Sequence, residues 1–300
     1  MSEPLTFNRE RGQVGRLERV APQIRRLTAD NPGPHTFTGT NSYIIGEGTV
    51  AVIDPGPDDA AHLDRLCRAL AGETVSHILV THTHRDHSPL AGPLARRTGA
   101  TVVGFHVGNE AGDTAGAGIE ASGDSSFRPD RTLRHGERIE GAGWTLEALH
   151  TPGHASNHLC YALAGTGTLF SGDHVMGWST TMVAPPDGDM GAYFASLALL
   201  GGRSDEVYWP GHGGRIGEAA TYVRALTRHR EARERAIREA LGAAPESAQE
   251  IARRVYQGLE PRLQRSAALT ALAHLVHLVE KREAVASGAA GIEARFRAAD

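Results

Sequence analysis

The chain has 300 residues, 40% of them apolar, which is enough for a buried core in one large domain or in a large domain with a small one attached. Its net charge of −4 is unevenly distributed, because residues 221–300 carry 14 Lys and Arg against 10 Asp and Glu. Two cysteines are too few for a disulfide framework, and no apolar run is long enough to span a membrane. We therefore expect a cytoplasmic protein that has no membrane partner.

The first predicted elements are a β-hairpin, a helix and a single strand. Residues 41–45 and 49–53 are β-branched runs joined by turn glycines, and the second of them ends at Asp54. A helix with leucines on one face follows, and then a strand over residues 75–80. The hairpin therefore places one carboxylate directly after a strand.

The strand 75–80 runs straight into four metal-binding residue types within the segment THTHRDH, residues 81–87. Alternate residues of an extended segment point to the same side, so His82 and His84 can face one ion. Asp86 and His87 fall in the turn beyond, where they can face a second ion. Imidazole and carboxylate ligands suit zinc, iron or manganese, and no thiolate is close enough in sequence for a closed structural zinc site.

A helix and a strand are predicted between this segment and the second half of the chain. Ser88 and Pro89 have the residue types of an N-cap and a first helical position, which predicts a helix over residues 89–98. A strand follows over residues 101–105. Residues 108–130 are rich in Gly, Ala, Ser and Asp, which predicts a loop that either borders the site or is simply solvated.

The second half repeats the pattern of a strand followed by a polar side chain. A strand over residues 144–149 leads to His154, and a hairpin over residues 159–170 leads to Asp173. A last strand leads to His212. Loops at one edge of a sheet are where convergent polar groups collect, so these side chains are predicted to meet those of the first half.

From about residue 221 the composition changes to that of helices. Helices are predicted over residues 221–241 and 263–281, and Ser247 begins a capping box for a helix between them. The tail over residues 283–296, interrupted by glycines, predicts a small β wing. We therefore predict a winged-helix-like domain over residues 223–300 behind a catalytic domain over residues 1–222.

Five motifs follow each other over roughly residues 35 to 215, namely IDPG, THTHRDH, TPGH, SGD and PGH. In order and in kind they resemble those of the metallo-β-lactamase-fold hydrolase superfamily. The resemblance implies an α/β protein, an αββα sandwich with two metal ions at the edge of its sheets, followed here by the small helical domain. It also implies a hydrolase.

The resemblance further implies a role for each ligand-type residue. One ion would be bound by His82, His84 and His154, and the other by Asp86, His87 and His212. Asp173 would bridge the two ions, and Asp54 would orient a ligand without binding metal. The cofactors are then two divalent ions, with zinc expected first and manganese or iron as alternatives.

Finer matches distinguish the groups within the superfamily. Several true β-lactamases have Cys or Ser where this chain has Asp173, so antibiotic hydrolysis is not expected. Flavodiiron oxidoreductases have Glu at the position of His84, which favours hydrolysis over oxygen reduction. Persulfide dioxygenases share much of the ligand set, so a single iron stays open. The core is similar to glyoxalase II, but the segment 171–197 and the helical tail look more like the β-lactamase-like endoribonuclease group.

These observations lead to one functional hypothesis and two alternatives. We predict a phosphodiesterase that cleaves single-stranded RNA with a hydroxide shared by two metals, with Asp86, Asp173 and His158 as the catalytic residues. The first alternative is a thioesterase or another small-molecule ester hydrolase of glyoxalase II type. The second is a non-catalytic binding protein. The basic tail would bind RNA, pack against the core or form a homodimer.

Several other residues have two interpretations each. His158 either assists a leaving group or supports a ligand, and His174 is expected to support Asp173. Arg85 either steers an anionic substrate or is simply solvated. Trp178 and Met182 either line a pocket or pack in the core. A pair of helical histidines, His274 and His277, is expected in the core or at a domain interface.

Overall fold

Two β-sheets form the centre of the molecule, which is described by a computed structural model for residues 5–105 and 123–299. The first sheet has seven strands in chain order, antiparallel from β1 to β4 and parallel from β4 to β7. Its strands are β1 (Leu17–Ala21), β2 (Ile24–Thr28), β3 (Asn41–Ile45), β4 (Thr49–Ile53), β5 (Thr74–Leu79), β6 (Thr101–Gly104) and β7 (Arg131–Thr132).

The second sheet has six strands in the order β13-β12-β11-β10-β9-β8. Only β11 and β12 are parallel neighbours, and the other pairs are antiparallel. Its strands are β8 (Arg138–Gly141), β9 (Trp144–His150), β10 (Leu159–Leu163), β11 (Thr168–Gly172), β12 (Val207–Pro210) and β13 (Ile216–Gly217).

The sheets pack face to face and helices cover their outer sides. Ile53 and Leu79 of the first sheet share one buried cluster with Tyr161 and Phe170 of the second. Helices α1 (Ala60–Ala69) and α2 (Ala91–Thr98) bury their leucines on the first sheet, whereas α3 (Met190–Gly201) and the start of α4 (Ala219–Ala240) pack on the second. The predicted αββα sandwich is therefore confirmed.

The start of α2 differs from the prediction. The helix begins at Ala91 after the N-cap Leu90, and not at Pro89 after Ser88. The Ser88 N–H donates to the carbonyl of His84 at 3.2 Å, so Ser88 closes the turn of the histidine segment. Its hydroxyl donates to Asp124 at 3.0 Å, which ties that turn to the described end of the predicted loop 108–130. The rest of that loop, residues 108–122, lies outside the described residues.

The C-terminal region contains the three predicted helices and a small sheet. Besides α4 it has α5 (Ala248–Val255), α6 (Gln264–Glu280) and three strands in the order β14-β16-β15, which are β14 (Glu246–Ser247), β15 (Ala284–Ala286) and β16 (Arg295–Ala298). Ser247 and Glu250 form the predicted capping box. The predicted domain boundary at residue 222 falls within α4, and it stays a prediction, as does the winged-helix assignment. Across the described ranges, every helix is too short or too polar to cross a membrane.

Candidate metal centre

Five strands deliver their following residues to one edge of the sandwich. Strand β4 ends at Ile53, so Asp54 follows it, β5 leads into residues 81–87, and β9 leads to His154. Strands β11 and β12, which are parallel neighbours, lead to Asp173 and His212. Parallel neighbours end at the same edge of a sheet. The Tyr43 hydroxyl donates to the carbonyl of Pro210 at 2.7 Å and so joins the two sheets at this edge.

The ring nitrogens of three histidines lie close to one another at this edge. The Nε2 atom of His82 lies 2.9 Å from Nδ1 of His84, and Nε2 of His154 lies 3.1 Å from the same Nδ1. All three side chains are buried. Their three nitrogens form a group that can hold one metal ion.

A second group that can hold an ion contains Asp86, His87 and His212. The Nε2 atom of His212 lies 3.1 Å from Oδ2 of Asp86, and Nε2 of His87 lies 3.4 Å from the same oxygen. This group combines imidazole with carboxylate, which is a ligand set typical of zinc, iron or manganese.

Asp173 lies between the two groups. Its Oδ1 is 3.5 Å from Nε2 of His87, and its Oδ2 is 3.3 Å from Nε2 of His212 and 3.8 Å from Nε2 of His154. The structure therefore brings all seven predicted ligands together. Within the described residues, Oδ1 of Asp173 and Nε2 of His87 are buried and have no hydrogen-bond partner. Buried polar atoms are normally paired, so this donor set fits divalent ions that would satisfy them.

Partners around the centre fix the orientation of three imidazoles. The Nδ1 of His87 donates to Asp54 at 2.9 Å, that of His154 to the carbonyl of Met182 at 2.7 Å, and that of His212 to the carbonyl of Gly39 at 3.2 Å. These acceptors assign the proton to Nδ1 and leave each Nε2 lone pair facing the centre. Asp54 accepts from Thr81 as well, through its N–H and its hydroxyl. Asp54 thus contacts a ligand and not the centre itself.

The charges at the site suit metal binding. Burial and repulsion from His87 and His84 lower the pKa of His82 well below its usual range, and burial lowers the pKa of His84 to about 3. Burial opposes the ionisation of Asp173, but His212 and His87 outweigh it and hold the pKa of that carboxyl well below its usual range. Burial opposes protonation of His87 and His212, but the neighbouring carboxylates outweigh it, raising the pKa of His212 to about 10 and that of His87 well above its usual range. Since neutral imidazoles and ionised carboxylates are the forms that bind metals, these two imidazoles would release a proton when an ion binds.

His158 is fully buried and uses both ring nitrogens within the protein. Its Nε2 accepts from the backbone N–H of Asp173 at 3.2 Å, and its Nδ1 contacts the Thr151 hydroxyl at 2.9 Å. These contacts favour a supporting role over the catalytic role predicted for it. His174 is also fully buried, and its ring lies 4.6 Å from that of Tyr193.

Three features of the site carry no recognisable side-chain signal in the sequence. Two are the carbonyls of Gly39 and Met182, because every residue has a carbonyl. The third is the missing side chain of Gly211, where a Cβ atom would lie 2.4 Å from Oδ1 of Asp173 and 2.7 Å from the ring of His87. The sequence shows the glycine of the PGH motif, but it does not show that a side chain there would collide with the bridging carboxylate.

A cavity of about 390 Å³ opens onto the centre. Five predicted ligands line it, and its other walls include Met176, Trp178, Met182 and the segment 31–36. Trp178 stacks on Phe37 with ring centroids 5.0 Å apart. Trp178 and Met182 are thus cavity residues, and the exposed Arg85 lies at the same cavity.

Comparisons with known proteins agree with this geometry. A lactamase-like protein of Aspergillus niger is 29% identical over 228 residues, which is 75% of this chain and 66% of that protein. An atrochrysone carboxyl ACP thioesterase of Aspergillus chevalieri is 30% identical over 245 residues, 79% of this chain and 71% of the relative. The crystal structure of a metallo-beta-lactamase family protein from Thermus thermophilus matches with a TM-score of 0.76 and 25% identity, over 93% of this chain and 100% of that one.

The family profile covers the region in which all five motifs lie. The family model described as Metallo-beta-lactamase superfamily matches residues 35–212, which is more than half of the chain. That range includes every strand end that supplies a side chain to the centre. The chain therefore belongs to the metallo-beta-lactamase superfamily.

Proposed function

We propose that the protein is a metal-dependent hydrolase that cleaves thioesters of aromatic or other bulky acyl groups. The observation that carries this proposal is the cavity of about 390 Å³, which has metal-ligand side chains on one side and Met176, Trp178 and Met182 on another. Such a cavity is large enough for an organic acyl group and has an apolar surface to bind it. An extended RNA strand would instead require a groove with many phosphate contacts.

The residues present fit two divalent ions, zinc first and manganese or iron as alternatives. His82, His84 and His154 would hold one ion, Asp86, His87 and His212 the other, and Asp173 would contact both. When bound, such a pair lowers the pKa of a water molecule to about 7 and stabilises negative charge on the reacting oxygen.

The chain itself supplies position and environment. Asp54 and the carbonyl of Met182 hold His87 and His154 with their Nε2 atoms toward the centre, and His158 holds the backbone of Asp173. In the reaction, water adds to the thioester carbonyl and the carbon–sulfur bond breaks. The thiol leaves with one proton of that water, the acyl group becomes a carboxylate, and the second proton passes to solvent. The apolar cavity wall would position the acyl group for this attack.

The names of the relatives support thioesters as the substrate class. A relative that is 30% identical is named atrochrysone carboxyl ACP thioesterase. This chain has a site of the same superfamily, and the cavity walls are compatible with a polycyclic or aromatic acyl group. We extend the proposal to an acyl group that arrives on a pantetheine-type thiol.

The predicted cleavage of single-stranded RNA is the less supported candidate. It depends on the basic C-terminal region, whose helices and three-stranded sheet follow the predicted order. Several arginines of that region are engaged with acidic side chains, for example Arg254 with Glu246 at 2.5 Å and Arg238 with Glu283 at 2.9 Å. This pairing leaves a smaller basic footprint for phosphates. The predicted homodimer stays a prediction.

A substrate panel separates these functions. The purified chain, loaded separately with zinc, manganese or iron, is incubated with an aromatic acyl thioester of pantetheine, the oxygen ester of the same acid, and labelled single-stranded RNA. We expect metal-dependent release of thiol, slower cleavage of the oxygen ester, and intact RNA. Cleavage of RNA without release of thiol contradicts the proposal in favour of the phosphodiesterase. A chain that binds less than one ion and gains no activity with any of these metals would instead favour the alternative of a non-catalytic binding protein.

A further inference from the structure

Arg230 of helix α4 is a buried cation without a carboxylate partner in the described part of the chain. Its side chain is only 2% exposed, and among the described residues it forms no ion pair. Its guanidinium donates a hydrogen bond to the carbonyl of Thr181 and lies 5.3 Å from the ring centroid of Tyr193. Its Nε has no hydrogen-bond partner among the described residues, so the contacts with Thr181 and Tyr193 are the ones that compensate the burial of its charge.

Thr181, the acceptor of Arg230, is itself connected to the metal centre. Its hydroxyl donates to the carbonyl of Asp173 at 2.7 Å and contacts that of His174 at 3.1 Å. The next residue, Met182, offers the carbonyl that accepts from Nδ1 of His154 at 2.7 Å. Residues 181–182 therefore hold the backbone of the bridging carboxylate and the ring of one histidine ligand.

Tyr193 of helix α3 supports the same connection from a second side. Its hydroxyl donates to the carbonyl of His174 at 2.9 Å, and its ring is the one that Arg230 covers. Tyr193 is fully buried and Thr181 is 1% exposed, so water does not compete for these hydrogen bonds. Buried, mutually supporting hydrogen bonds keep their geometry better than exposed ones.

We propose that Arg230 is a positioning residue for the metal centre, through which helix α4 of the C-terminal region fixes Thr181 and Met182 and thereby Asp173 and His154. This inference rests on the proposed metal centre. It gives the C-terminal region a role in building the site, apart from any role in binding RNA or in dimerisation. Partners that orient metal ligands typically change metal affinity or activity by about 10- to 100-fold when they are removed.

The test is metal affinity, measured by calorimetric titration of the metal-free full chain with zinc and with manganese. Arg230→Met keeps the length and apolar stem of the side chain and removes its donors, and we expect it to bind metal about 10- to 100-fold more weakly. Arg235→Met is the matched control, because Arg235 lies on the same helix and is exposed. It should bind metal like the wild type.

A pair of substitutions at Thr181 tests the same connection without touching the buried charge. Thr181→Val keeps the shape and removes the hydroxyl, whereas Thr181→Ser keeps the hydroxyl. We expect weakened metal binding in the first variant and near wild-type binding in the second. Thr181→Val is close to threonine in size and Thr181→Ser lacks only one methyl group, so this pair tests the step from Thr181 to Asp173, on which the proposed role of Arg230 depends, even where Arg230→Met does not fold.

Three results would overturn the inference. One is a folded Arg230→Met chain with wild-type metal affinity, and another is equal affinity of Thr181→Val and Thr181→Ser. The third is a wild-type chain that binds no divalent ion, which overturns the proposed metal centre too. Equal binding by the wild type and the variants would refute only the role of Arg230.

Discussion

The molecule has two clusters of histidine and carboxylate side chains, and they differ in whether protein donors satisfy the carboxylate. Each cluster has an imidazole nitrogen without a hydrogen-bond partner among the described residues, Nε2 of His87 at the metal centre and Nε2 of His274 between α4 and α6, but only at the metal centre is a carboxylate oxygen, Oδ1 of Asp173, unpaired as well. Between α4 and α6, Glu234 accepts from His274 at 3.2 Å, from His277 at 2.8 Å and from Lys281 at 3.1 Å. The second cluster therefore satisfies its carboxylate with protein donors.

This difference shows why a count of ligand-type residues does not define a metal site. Both clusters combine imidazoles with a buried carboxylate, but only at the strand ends do three or more ligand atoms converge within the described residues. At Glu234, Lys281 supplies the positive charge that a metal ion would supply at the strand ends. We infer that the first cluster is built for metal and the second for holding two helices together.

The largest expected effect comes from removing the carboxylate between the two ligand groups. Asp173→Ala should lose at least one bound ion per chain, because both proposed ion positions lose a carboxylate ligand. It should also lower kcat/KM by more than the roughly 100-fold expected for an orienting residue. Metal analysis and thioester kinetics measure both. Glu234→Ala is the contrasting variant, and it should keep its full metal content. Full metal content in Asp173→Ala together with loss of metal from Glu234→Ala would contradict the assignment of metal binding to the first cluster.

A smaller loss is expected where a carboxylate only orients a ligand. Asp54→Asn replaces one of two oxygens that accept from His87 and Thr81, so His87 would lose its fixed orientation. We expect metal affinity to fall by about 10- to 100-fold, measured by calorimetric titration. Asp58→Asn, at an exposed position four residues along the chain, is the control. An affinity equal to that of the control would mean that Asp54 does not position His87.

The sequence allowed the ligands to be predicted but not the groups that hold them. His82 and His84 were predictable because alternate residues of an extended segment share a side, and the capping box at Ser247 is local. The contact of Arg230 with Thr181 joins residues 49 positions apart, and nothing in the local pattern of α4 indicates it. The predicted start of α2 was wrong because Ser88, a suitable N-cap residue, instead closes the preceding turn.

The cluster at Glu234 should affect stability and not metal binding. Burial raises the pKa of Glu234, but hydrogen bonds from His274 and His277 outweigh it and lower the pKa to about 2, from an ordinary 4.5. Glu234→Gln loses the charge-assisted hydrogen bonds, which should lower the free energy of unfolding by about 1.5 to 3 kcal/mol near neutral pH.

The same shift predicts a pH dependence. Because the pKa of Glu234 is lower in the folded chain, its contribution is present above about pH 4.5 and is lost as the pH falls toward about 2. The difference in unfolding free energy between the wild type and Glu234→Gln, from denaturant titrations at several pH values, should shrink over that interval. A difference that stays constant from pH 6 to pH 3 would argue against a strongly ionised Glu234.

The smallest effect is expected at a purely local contact of the C-terminal region. Ser247→Ala removes the hydroxyl that caps α5, which should cost about 1 kcal/mol of unfolding free energy and leave metal affinity unchanged. Ser204→Ala, at an exposed position, should change stability by less than about 0.5 kcal/mol. A change in metal affinity in Ser247→Ala would mean that the C-terminal region affects the metal centre through contacts other than that of Arg230.

The most direct test of the metal centre is anomalous diffraction from crystals of the metal-loaded chain, recorded at the absorption edge of the metal supplied. We expect two peaks per chain, one within about 2.0 to 2.3 Å of ring nitrogens of His82, His84 and His154, and the other within the same range of ligand atoms of Asp86, His87 and His212. Asp173 should contact both. A crystal that binds the metal only elsewhere, or not at all, would contradict the account.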